Sequence, residues 1–133
     1  MIHQALFDHL SAASGVTALA SSIYPTSAPL GISAPFIVFT LDEDGRTQLL
    51  DGTECAYRQA RFSIDAYAKT LDSAIAIADA LESALTGYSG VMGTTSPSVN
   101  VDHVRLERRG PHLYEGDTEL HRVPLEFLIG YEV

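Results

Sequence analysis

The pattern that most limits the folds open to this chain lies near its far end. His121, Val123, Leu125, Phe127, Ile129, Tyr131 and Val133 follow one another at every second position without a break. Period two is the signature of a strand. A strand over 121–133 at ~3.4 Å per residue spans about 44 Å. A compact domain of this length has a radius of gyration of roughly 14 Å, hence a diameter of about 36 Å. The last hairpin is therefore expected to project beyond the globule, and its open edge to call for a partner. Pro124 lacks an N–H and is expected to mark an edge or a bulge in the first part of that strand.

A second signal sits in the middle of the chain. Between Ala56 and Lys69, Ala60, Phe62, Ile64 and Ala66 share one face, while Arg61, Ser63, Asp65 and Tyr67 share the other. Thr70 then caps a helix with Asp72 in its first turn, where the helix dipole favours a negative charge. Leu71, Ala74, Ile75, Ala78, Leu81 and Leu85 form its apolar stripe, and Gly87 ends it. Ile2, Leu6, Leu10 and Ala13 predict another helix over 2–13, stopped by Gly15, with one further short turn before Ile23-Tyr24-Pro25. Thr26–Ala34 reads as a loop, Phe36–Leu41 as a central strand covered on both faces, and Asp42–Gln48 as a solvated acidic excursion turning near Asp51-Gly52. Val91–Ser98 reads as a connection. Val99–Glu107 and Leu113–Glu115 are strand-like, with Gly110-Pro111 between them and a turn at Glu115–Thr118. The expectation is one α+β domain over 1–133: a mostly antiparallel sheet of four or five strands, with two main helices packed on one face.

Charge and chemistry exclude several functions. Eight basic side chains against 17 acidic ones leave a net charge of −9, whereas a nucleic-acid binder needs a basic face. Cys55 is the single cysteine, so neither a disulfide framework nor a multi-cysteine zinc site can form within the chain. Cys55 also has no neighbouring cation to activate its thiol. No basic leader precedes Arg46, and no apolar run approaches the ~20 residues of a membrane span. A soluble, cytoplasmic chain is expected. The five histidines lie apart, and His3 and His9 miss the i, i+4 spacing of a helical ligand pair. Asp42, Glu43, Asp44 and Gly45 lack the alternating carboxylates and the distal Glu of a calcium loop. Asp65 and Tyr67 have no histidine or second carboxylate set beside them by the sequence, and no catalytic signature is present. Neither an enzyme nor a cofactor is expected.

The order of the segments carries a resemblance. It runs from Ile2-His-Gln-Ala-Leu-Phe-Asp-His-Leu10 through Gly15-Val-Thr-Ala-Leu and Ile23-Tyr-Pro25 to Ala34-Pro-Phe-Ile-Val-Phe-Thr40. Arg61-Phe-Ser-Ile-Asp-Ala-Tyr-Ala68, the helix with Ala76-Ile-Ala-Asp-Ala-Leu81, Leu113-Tyr-Glu115 and Leu120-His-Arg-Val-Pro-Leu-Glu-Phe127 complete it. Over nearly its whole length the chain resembles the tail-completion or tail-terminator proteins of siphophage-type tails, gene transfer agents and phage-like particles. The resemblance implies an α+β subunit, made in the bacterial cytoplasm, that forms a ring, expected to be hexameric. It also implies a cap on the tail tube, a surface offered to a head-side connector or stopper protein, and DNA as passing cargo. The family has no catalytic motif to transfer. Another neck or minor tail component of the same fold is the alternative; from a different class, so is a small-molecule-binding domain or an enzyme. Loops on a rigid scaffold commonly carry binding. The expected contact residues are accordingly Asp42, Glu43, Asp44 and Arg46 in one charged excursion, and Arg108, Arg109, His112, Tyr114, Glu115 and Asp117 in the other.

Overall fold

The computed structural model describes residues 2–20, 22–26, 34–48, 54–93, 99–117 and 119–132. Among them run α1 (Ile2–Ala12), α2 (Ser14–Thr17), β1 (Ser22–Pro25), β2 (Phe36–Gln48), β3 (Glu54–Ala68), α3 (Leu71–Leu85), β4 (Gly90–Met92), β5 (Val99–Arg109), β6 (Leu113–Glu115) and β7 (Leu120–Glu132). The strands form one sheet in the order β1-β2-β3-β7-β5-β4, with β6 added to β7 beyond the end of β5. Every pairing is antiparallel except the parallel β1–β2 contact. The α+β class and the antiparallel character are as expected. The strand number is not: among the described residues there are seven, because Ser22–Pro25, left without an element in the sequence reading, forms β1, and β4 falls where the Val91–Ser98 segment reads as connection.

The two-sided pattern of β3 decides where the core lies. Ala60, Phe62, Ile64 and Ala66 are fully buried, and they join Val123, Leu125, Phe127 and Ile129 of β7 in one cluster. Ile2, Leu6 and Leu10 of α1, Val16 of α2 and Ile77, Ala78, Leu81 and Leu85 of α3 close over the same cluster. The described helices thus pack on one face of the sheet. Thr70 starts α3 as expected: it is extended at φ −125° and ψ 152°, and its hydroxyl accepts the Ser73 N–H at 3.2 Å. Gly87 follows the helix with a left-handed φ of 78°, which favours a residue without a Cβ.

Several expectations need correction. Leu71 is exposed and Ile77 takes its place in the stripe. A first-turn side chain leans past the end of its helix, away from the sheet. Gly15 does not stop α1; Ala13 does so by turning extended (φ −78°, ψ 105°), and Gly15 lies inside α2. Asp42–Gln48 is no loop. It continues β2, paired with β3 from Glu43↔Arg61 to Gln48↔Glu54 after a bulge between Leu41 and Glu43. Asp42 and Glu43 are exposed there, and the half-buried Asp44 accepts a hydrogen bond from the Tyr131 hydroxyl, so the strand carries these carboxylates without burying one unpartnered.

The terminal strand also differs from its sequence reading. β7 does not lack neighbours: it pairs with β3 from His121 to Glu132, and with β5 and β6 on its other side. Pro124 therefore sits in the interior of the sheet, opposite Asp65. Its carbonyl accepts the Gly110 N–H at 2.9 Å, so its missing N–H faces the same side, where Gly110–His112 interrupts the β5–β6 edge. The gap in one strand excuses the proline in the next. The turn at Asp51-Gly52, most of the Thr26–Ala34 loop, Thr118 and the Thr94–Ser98 connector lie outside the described residues.

Candidate functional site

Period two sends the polar half of β3 to the face that carries no described helix. Cross-strand register extends this half into four rungs: Glu43–Arg61–Leu128–Arg105, Thr40–Ser63–Glu126–Arg108, Val38–Asp65–Pro124 and Phe36–Tyr67–Arg122–Leu113. The charges of the first rung are linked through Glu107, at the bulge of β5. Arg61 lies 3.9 Å from Glu43 and 3.6 Å from Glu107, and Arg105 donates to Glu107 at 2.8 Å. That hydrogen bond from Arg105 is the main cause holding the Glu107 carboxyl below its ordinary range. Ser63 donates its hydroxyl to Asp42. The last rung is aromatic: Phe36 and Tyr67 stack at 4.7 Å, and the Arg122 guanidinium sits 5.9 Å from the Tyr67 ring centre.

Between these rungs the strand break at Gly110-Pro111 leaves a recess of about 220 Å³, with Ser63, Asp65, Arg108, Arg122 and Glu126 on its walls. Asp65 is the single charged residue buried among the described positions. Burial pushes its carboxyl up, outweighing the Arg122 partner that pulls it down. Burial likewise raises the Tyr131 hydroxyl to about 12, helped by the hydrogen bond it donates to Asp44 at 2.8 Å. Asp65 and Arg122 neutralise one another, and the Ser63 hydroxyl on the same wall is already donated to Asp42. Among the described residues no three His, Cys, Asp or Glu side chains gather as metal ligands. No described helix is long and apolar enough to cross a membrane.

The residues expected at a contact separate into four places. Asp42, Glu43, Asp44 and Arg46 lie on the outer part of β2. Arg108 lines the recess, free of any ion pair among the described residues, whereas Arg109 turns to the helix side and reaches Asp79 at 2.7 Å and Glu82 at 3.1 Å. Leu113 and Tyr114 are exposed on β6, and Tyr114 meets the ring of His121 at 4.9 Å. Glu115 lies 3.9 Å from Arg122, while His112 and Asp117 are exposed. The Arg61–Glu107–Arg105 chain escaped the sequence reading. Its signal was there in the alternation of Arg61 with Ser63, but the partner strands could not be known.

The sequence profile of the family described as tail completion protein gp17 matches residues 4–132. The chain belongs to that family. A solved structure agrees on the fold: a chain of the virion of a native gene transfer agent particle superposes with a TM-score of 0.70 at 17% identity, covering 96% of this chain and 92% of that one. Comparison with curated protein sequences gives no match. As a tail completion family member the chain is a structural protein of a virion or phage-like particle, not an enzyme.

Proposed function

We propose that this tail completion family member closes into a ring, as a hexamer, that caps the tail tube and offers its opposite surface to a head-side connector or stopper protein. DNA passes through the centre as cargo. The family match over residues 4–132 carries this reading. The helix-free, charge-bearing sheet face and the exposed Leu113 and Tyr114 support it, because such surfaces fit contacts better than catalysis. Asp42, Glu43, Asp44, Arg46, Arg108, Arg109, His112, Tyr114, Glu115 and Asp117 are the proposed contact residues, several of them held in place by partners inside the subunit. Mass photometry and negative-stain electron microscopy of the purified protein test the reading. A closed particle of fixed subunit number supports it, and a chain that stays monomeric at every concentration overturns it.

A further inference from the structure

The two penultimate strands of the sheet carry opposite charges on edges that, among the described residues, their short outer neighbours do not cover. β1 pairs with β2 only from Phe36 to Phe39, so among the described residues no strand lies outside Thr40–Gln48. β4 covers β5 from Val99 to Val101, and the Gly87 N–H reaches the Val104 carbonyl at 3.0 Å, so no described strand lies outside Arg105–Arg109. The two open stretches are on opposite sides of the sheet. Asp42–Arg46 carries three carboxylates and one arginine; Arg105–Arg109 carries three arginines and one carboxylate.

We infer that β2 of one subunit pairs with β5 of the next, edge to edge, through Asp42–Arg46 and Arg105–Arg109. The inference rests on the ring reading above and names its junction. Three observations favour a second copy as the occupant. Unpaired N–H and C=O groups on an open edge are a ready template for an added strand. Counting along β2-β3-β7-β5, each strand reverses the last, so β2 and β5 run in opposite directions. Copies placed side by side therefore continue the sheet antiparallel. Net charge then selects the pairing: β2 against β2 brings two net-acidic stretches together, β5 against β5 two net-basic ones, and β2 against β5 brings opposite signs together. A two-fold dimer is disfavoured and a head-to-tail contact remains, the kind that closes into rings.

Two charge-reversed chains test this. In one, Asp42→Arg and Glu43→Arg make both edges basic; in the other, Arg105→Glu and Arg108→Glu make both edges acidic. Each alone should be a folded monomer by circular dichroism and mass photometry. Mixed in equal amounts, they should recover particles of the unmodified mass, because each edge then meets its complement on the other chain. Rings formed by either variant alone, or a mixture that stays monomeric, would overturn the junction while leaving the ring intact. If the unmodified chain itself forms no closed particle, the ring reading has failed instead.

Discussion

Arg122 stands diagonally from Asp65, its Nη2 3.1 Å from Asp65 Oδ2, although the ladder sets Asp65 opposite Pro124 and Arg122 opposite Tyr67. Proline supplies no charge, so the guanidinium reaches across one step to a carboxyl that would otherwise be buried alone. Removing the cation should therefore cost more than removing the acid. Arg122→Ala is expected to lose about 3 kcal/mol, the lower end for breaking a buried pair because the arginine is partly exposed. Asp65→Asn should lose less. Urea unfolding of both variants decides, and equal losses would sink the asymmetry.

The same carboxyl makes stability depend on pH. Its folded pKa is raised above 3.8, so between the two values the folded chain holds more protons than the unfolded one. Asp65 thus contributes stability at low pH that is lost as pH climbs through the raised value. The stability of the unmodified chain relative to Asp65→Asn should decline over that climb. A relative gain with rising pH would contradict the raised value.

Phe62 is fully buried at the centre of the β3 core face, in ring contact with Phe39 at 6.3 Å. Phe62→Ala is expected to cost about 3–5 kcal/mol in urea unfolding. A loss below about 1 kcal/mol would mean that the cluster relaxes around the deletion.

The neighbouring arginines Arg108 and Arg109 should behave differently. Arg109→Glu breaks contacts to Asp79 and Glu82 on α3 and should lower stability by about 1 kcal/mol. Arg108→Glu should leave it within about 0.5 kcal/mol, while weakening assembly. Thermal denaturation beside mass photometry separates the two effects; equal melting of both variants would refute the division.

Gly130 lies between Tyr57 and His103, whose side chains meet across it at 3.5 Å. A Cβ at Gly130 would collide with the Tyr57 hydroxyl and the His103 ring. Gly130→Ala is expected to cost about 1–3 kcal/mol; adding Tyr57→Ala removes the clash with the hydroxyl but not the one with the His103 ring, so the double variant should lose less than the sum of the two single losses. Fully additive losses in a double-mutant cycle would refute the contact.

Free duplex DNA should not bind. With 17 acidic and eight basic side chains, no surplus of positive charge is available to release the counterions that drive non-specific binding. Anisotropy titration at about 150 mM salt checks this. Sub-micromolar affinity with a steep salt dependence would require the arginines to converge on one surface.

Local signals were read well where they were local. Thr70, Asp72 and Gly87 bound α3 from the sequence alone, and the alternation around Phe62 fixes which half of β3 is buried. Beyond the helix ends at Gly15 and Leu71, what failed depended on the partner across the ladder. Asp42–Gln48 looks like a loop because its composition is charged, yet pairing with β3 makes it strand. Pro124 looks like an edge residue because the break at Gly110-Pro111 in the adjoining strand cannot be placed from the chain. The ion-pair chain through Arg61, Glu107 and Arg105 needs three strands in register, and the register is not written in any one of them.

The position of β7 sets the timing of biosynthesis. β3 and β5 do not touch in the sheet; each is bonded to β7, which is translated after both. Until residues 120–132 leave the ribosome, α3 has half a floor and the two charged edges belong to no common sheet. A chain interrupted before that point lacks the strand that joins its halves. Its two charged edges are then never brought into one sheet.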